Sequence, residues 1–228
     1  MLRPIVSLLF ILPVGLASTA SAANIVSDFS GTVNPNGVWT YLYNGSAYTS
    51  SQGSAAQLGT PLPGWYSGQG IPNSLYILQN TTGSNYSTGT IVDPTGTLWL
   101  DPESGNVAVR FTASAAGTYT IAGSFIGIDV SENSHPVQIF DGSTSIFNST
   151  ISTYGQNVAF NLSETLAAGQ TITFEVETGS AGCSYCYLST GLDGTITLSG
   201  SSAPEPAPWG LAMAGLVLVG AKYYKLRP

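Results

Sequence analysis

Thr171-Ile172-Thr173-Phe174-Glu175-Val176-Glu177 sets polar and apolar side chains in strict alternation. A period of two belongs to an extended strand with one buried face, because successive side chains leave the backbone on opposite sides. Ile172, Phe174 and Val176 are therefore expected to face a core, with the threonines and glutamates in water. The rhythm recurs on both sides of this segment. Val107, Val109 and Phe111 share a face upstream. Tyr119, Ile121 and Phe125 alternate along a long strand expected over Thr118–Ile128. Val137–Phe140 and Ser145–Ile151 flank Asp141-Gly142, a hairpin signal. Val158, Phe160 and Leu162 follow, and a last strand is expected over about Leu192–Leu198.

Further upstream the pattern is less regular. Asn24–Ser30 reads as a first strand with Ile25 and Phe29 inward. Asn34-Pro35-Asn36-Gly37 is a turn, and Val38–Tyr43 a second strand. The stretch from Asn44 to Gly96 is rich in Gly, Ser, Thr and Pro, with short strands expected near Ser74–Gln79 and Gly89–Val92. A loop-heavy stretch of that length inside a compact domain is either disordered or functional. Leu98-Trp99-Leu100 returns to strand. Helical periodicity is missing from the body, apart from one turn expected at Glu164–Ala168. Many short strands at regular spacing make an all-β, antiparallel β-sandwich or jelly roll.

The two ends differ from this body. Met1-Leu2-Arg3, the apolar run Ile5–Leu16 and the small-residue box Ala20-Ser21-Ala22 form a cleavable export signal over residues 1–22. Residues 23–202 are then the body, about 180 residues and enough for one core. Residues 203–228 form a tail in three parts. Pro204-Glu205-Pro206 holds an extended backbone and prevents a helix from starting early. The next run, about 209–224, is apolar and expected to be a membrane helix, short against the ~20 residues of a relaxed span. Lys222, Lys225 and Arg227 form a basic stop-transfer stub. In that order the three parts resemble the PEP-CTERM sorting tail of exported bacterial proteins. The resemblance implies passage through the export machinery, a membrane-anchored intermediate held by the C-terminal helix, and processing by an exosortase-like enzyme. It further implies release or transfer to the cell envelope or extracellular matrix. Asp28-Phe29-Ser30, Ala116-Gly117-Thr118-Tyr119-Thr120-Ile121 and Thr190-Gly191-Leu192-Asp193 resemble a sandwich domain that precedes such tails. Sandwiches of this kind are similar to galactose-binding and carbohydrate-binding modules, which implies a fold and a location, not an activity.

Charge narrows the function classes. Five Lys and Arg stand against twelve Asp and Glu, for a net charge of −7. Arg110 is the one cation of the body, and Glu205 the one acid of the tail. Such a surface repels phosphate backbones and excludes nucleic acid as a partner. Neutral glycans and divalent cations are compatible with it. Non-catalytic association with exopolysaccharide at the surface or in a biofilm matrix is the leading reading. A coat protein without a specific ligand is the alternative, and a secreted glycan-active hydrolase the third.

Four constellations carry candidate chemistry. Trp65-Tyr66, between Pro63-Gly64 and Ser67-Gly68, is expected to be exposed and to stack on sugar rings; Trp39 and Trp99 read as core. Loop carboxylates suit Ca²⁺, and Asp28 with Asp193 on terminal strands could share a structural ion, against a simpler reading as solvated side chains. No cofactor motif is present. Asp101 with Asp129 or Glu132 could be forced into the role of a glycosidase pair, but nothing in the spacing selects them. His135 lacks a Gly-x-Ser-x-Gly partner motif. Cys183-Ser184-Tyr185-Cys186 in an exported chain reads as a disulfide loop staple.

Overall fold

A computed structural model describes residues 22–51, 60–68, 74–103, 105–179 and 187–200. The export signal, the tail with Pro204, Glu205, Pro206, Lys222, Lys225 and Arg227, the expected membrane helix, and Cys183 with Cys186 lie outside the described residues. Within them every regular element of any length is a strand. In chain order these are β1 (Ala23–Asn24), β2 (Trp39–Tyr43), β3 (Ser46–Ala47), β4 (Ser50–Ser51), β5 (Gly64–Tyr66), β6 (Tyr76–Gln79), β7 (Tyr86–Thr88) and β8 (Ile91–Asp93). They continue with β9 (Leu98–Asp101), β10 (Asn106–Thr112), β11 (Gly117–Gly127), β12 (His135–Asp141), β13 (Thr144–Ile151), β14 (Asn157–Leu166), β15 (Thr171–Glu177) and β16 (Thr190–Gly200).

Two antiparallel sheets hold most of these strands. One runs β14-β11-β16-β9-β6-β5-β4, and β1 also pairs with β16; the other runs β13-β12-β15-β10-β2-β3. From β9 to β12 the chain changes sheet at each step, as it does again from β13 to β16. This alternation makes a sandwich, since each sheet must bury one apolar face against the other. The shared core takes Val107, Val109, Phe111, Ile139, Phe174 and Val176 from one sheet and Ile77, Leu98, Leu100, Ile121, Phe125 and Ile196 from the other. β15 follows its alternation at the apolar positions: Ile172, Phe174 and Val176 are wholly buried, and Thr171, Glu175 and Glu177 are half-buried. Thr173, expected in water, is buried and accepts from Arg110.

Several local expectations are refined. β1 is shorter than expected, because the chain turns after Asn24, whose side-chain oxygen accepts from the amides of Val26 and Ser27. Ile25 is nevertheless buried and Phe29 packs on the core. The hairpin between β12 and β13 turns at Gly142-Ser143, with Asp141 still paired to Thr144 and Gly142 at φ 56°. The helical turn expected at Glu164–Ala168 is replaced by strand, since β14 continues to Leu166 against β11. β16 gives one edge to β11 along its length and divides the other. Thr190–Leu192 pair with β9, and Thr195 with Ile196 pair with β1. The terminal strands of the body are thus side by side.

A cavity on the outer face of the larger sheet

The eight-stranded sheet is covered on both faces around β6 and β9. Ile77, Leu98 and Leu100 point into the sandwich, while Tyr76, Leu78 and Trp99 point the other way. These outward residues form a second apolar cluster with Leu62, Ile91 and Ile128, against which Tyr66, Tyr86 and Ile126 pack. The cover is the β7–β8 hairpin, whose Ile91 bridges to Asp129, together with the segment around Thr60–Leu62. Gly89, at φ 56°, makes the hairpin turn; that left-handed backbone is open to glycine at little cost.

Between hairpin and sheet lies a cavity of about 250 Å³. Tyr76, Leu78, Ile91 and Trp99 supply its apolar walls, and Tyr187, 44 % exposed, stands at the edge. Its polar lining comes from Thr60, Thr88, Thr90, Ser189, Asp101, Glu103 and Asp129.

Two carboxylates organise the polar side. The Asp101 Oδ2 accepts from the Tyr76 hydroxyl at 2.8 Å and the Ser189 hydroxyl at 2.8 Å, and Oδ1 from the Glu103 amide at 3.2 Å. Ser189 in turn accepts from the Trp99 indole N–H at 3.0 Å. Burial raises the Asp101 pKa, opposed by those hydrogen bonds. Tyr76 is raised well above the ordinary phenol value by its own burial and the Asp101 charge. Asp129 accepts from Thr90 Oγ1 at 2.9 Å and from the Ser131 amide at 2.8 Å.

Behind Asp129 is a second polar group. Glu132 Oε2 accepts from the Asp129 amide at 3.1 Å, and its Oε1 lies 3.5 Å from His135 Nδ1. Burial pushes Glu132 up to about 8, reinforced by the Asp129 and Asp101 charges, and burial lowers His135. At neutral pH the two are therefore a neutral contact and not an ion pair. His135 is fixed between the Asn133 carbonyl at 2.9 Å and the Thr190 hydroxyl at 2.6 Å. Both ring nitrogens thus have protein partners. At the root of the hairpin, Asp93 is wholly buried, accepts from Thr97 Oγ1 at 2.9 Å, and is pushed to about 7 by burial.

The expected stacking pair is corrected. Trp65 is 3 % exposed and belongs to the core, stacked on Tyr41 at 6.2 Å, its indole donating to the Ser30 carbonyl at 2.7 Å. Tyr66 is half-buried and packs on the second cluster. Pro63-Gly64 is not a turn. A Cβ at Gly64 would run into the Ile77 carbonyl, so the glycine serves a close approach of β5 to β6, which turns Trp65 inward. Trp39 and Trp99 are buried, as expected. Trp99, however, is buried under the hairpin and not in the sandwich, and it lines the cavity.

Asp28 and Asp193 have separate protein donors. Asp28 Oδ2 accepts from the Asn24 amide at 2.8 Å and the Trp39 indole at 3.4 Å. Asp193 Oδ1 accepts from the Ser124 amide at 2.8 Å and hydroxyl at 3.1 Å. Among the described residues no group of three or more His, Cys, Asp or Glu is placed to hold a metal ion.

No family model and no curated protein matches the sequence. Solved structures of similar outline include a family 35 carbohydrate-binding module from Clostridium thermocellum, at 11 % identity and a TM-score of 0.33, covering 54 % of this chain and 88 % of that one. A family 35 module from an environmental isolate aligns at 17 % identity and a TM-score of 0.31, covering 58 % and 98 %. The corresponding module from Paenibacillus barcinonensis aligns at 13 % identity and 0.28, covering 54 % and 89 %.

Proposed function

We propose that this chain is an exported, non-catalytic surface or matrix protein that binds a saccharide unit in the cavity over Trp99. The observation that carries the reading is the composition of that cavity. Aromatic and aliphatic walls from Tyr76, Trp99, Leu78 and Ile91 meet hydroxyls and carboxylates on the facing side. A sugar ring has the same division, with apolar C–H faces and a hydroxyl edge. At about 250 Å³ the cavity lies just below the roughly 300–1,000 Å³ of most ligand clefts. It suits one ring or a chain end. The apolar lining and the half-exposed Tyr187 favour this binder over a coat protein without a ligand.

The bonding of Asp101 and Asp129 favours binding over hydrolysis. A glycosidase needs one carboxyl free to protonate the leaving oxygen and another free to attack or activate water. Asp101 holds three donors and Asp129 two. Both act as fixed acceptors. The full-length protein on a glycan array, beside Tyr187→Ala, tests the reading: a retained ligand that the variant loses supports it. Silence across all glycans overturns it in favour of the coat protein, and released reducing sugar in favour of the enzyme.

Residues 1–22 and the tail support export and exosortase sorting. Replacing Pro204, Glu205 and Pro206 by alanine should leave full-length protein in the inner membrane on immunoblots of fractionated cells. Unchanged processing would refute the sorting role.

A further inference from the structure

We propose that the cavity over Trp99 selects an amino sugar with a free, protonated amine; this rests on the saccharide reading of the same cavity. Three hydroxyl protons of the cavity wall are already committed to carboxylates. Thr90 donates its proton to Asp129, and Tyr76 and Ser189 donate theirs to Asp101. A hydroxyl that has donated its only proton has lone pairs left and nothing more to give. These three hydroxyls and both carboxylates therefore meet a ligand as acceptors.

An ammonium group is the complement of such a wall, with three donors and no acceptor. An N-acetyl group keeps one uncharged N–H donor but adds a carbonyl acceptor, and a uronic acid adds a carboxylate, so each sets an acceptor against the acceptor wall. Charge has the same sign preference. Asp101, Glu103 and Asp129 all line the cavity. Arg110 is the one Lys or Arg among the described residues, and it lies on the six-stranded sheet, donating to Thr173 at 3.2 Å. No described cation offsets the three acids. Charge-assisted hydrogen bonds to carboxylate are about twice as strong as neutral ones, and more so in a site with little water. The aromatic walls of Trp99 and Tyr76 also receive a cation over a ring face favourably. Thr88, also in the lining, adds a further hydroxyl for the rest of the ring, which favours a sugar over a bare alkylamine.

The test is calorimetric titration of the full-length protein with a glucosamine hexamer, its fully N-acetylated counterpart, a neutral glucose hexamer and spermidine. The wild type should bind the glucosamine hexamer roughly tenfold or more tighter than the other three, the effect of one charge-assisted hydrogen bond. Asp129→Asn should abolish that preference. It keeps the side-chain shape, and Thr90 can turn to accept from the new amide, which presents a donor to the cavity instead. Glu103→Gln, at a half-buried position, repeats the test without touching Thr90, and an unchanged Tm verifies folding of both variants. Tighter binding of the acetylated or neutral hexamer would overturn the amine assignment and leave the saccharide reading in place. Spermidine binding as tightly as the glucosamine hexamer would overturn the sugar. Failure to bind any of the four would overturn the amine assignment, while the saccharide reading falls only if the glycan array is silent as well.

Discussion

The strands from Asn106 to Glu177 and those from Ser50 to Asp101 are built on different rules, although both contribute to one sandwich. β10 and β15 have one face in the core and one largely toward solvent, so apolar and polar residues mostly alternate along them, with Ala108 and Thr173 the buried outward positions. β9 is buried at all four residues and β6 at three of four. Leu98-Trp99-Leu100-Asp101 shows no alternation because the β7–β8 hairpin covers the face that would otherwise meet water. A sheet roofed on its second face can enclose a cavity; a sheet open to solvent there cannot. The less regular stretch accordingly supplies most of the cavity wall, with Asp129, Tyr187 and Ser189 added from elsewhere.

Three predictions bear on this contrast, in falling order of effect. Phe174→Ala, in the two-sheet core, should cost about 3–5 kcal/mol in denaturant unfolding, through lost burial plus the cavity left behind. A loss below about 1 kcal/mol would mean that the regular half does not hold the fold. The second concerns the hairpin root. Asp93 has its folded pKa raised to about 7 from 3.8. The native state therefore holds this proton more tightly than the unfolded chain does. The stability it contributes is complete below the unfolded value and is lost as pH rises through about 7. Between about pH 5 and about pH 8 the wild type should lose on the order of 2–3 kcal/mol that Asp93→Asn retains, read as the difference in unfolding free energy between the two pH values. Equal slopes in the two proteins would remove Asp93 as the cause. The smallest effect is expected from Tyr187→Ala at the cavity edge, within about 0.5 kcal/mol in stability. A larger change would make Tyr187 part of the roof and not of the binding edge.

Much of the architecture was legible from residue order. The inward faces of β10, β11, β14 and β15 followed from period two, and the Asp141-Gly142 hairpin from its turn chemistry. The site was not. Trp65-Tyr66 stood among Pro and Gly residues and read as exposed, but Gly64 lets β5 approach β6, and in sequence a glycine spacer looks like a loop glycine. Trp99 sat in a strand pattern and read as core, since burial under a hairpin and burial between sheets leave the same apolar residue. Asp101 and Asp129 could be named as acids, yet nothing in their spacing showed that one cavity joins them.

By itself the sequence determined the all-β class, the acidic body without cationic patches, the alternating strands, and the contrast between that body and the two apolar ends. Those properties depend on composition and on neighbours a few residues apart. Only the tertiary structure decided which tryptophan faces which layer, and that the hydroxyls of Tyr76, Thr90 and Ser189 give their protons to two carboxylates. Each of those bonds joins residues at least 25 positions apart in the chain. Local pattern has no access to contacts of that range, because they exist only once the strands between them have paired.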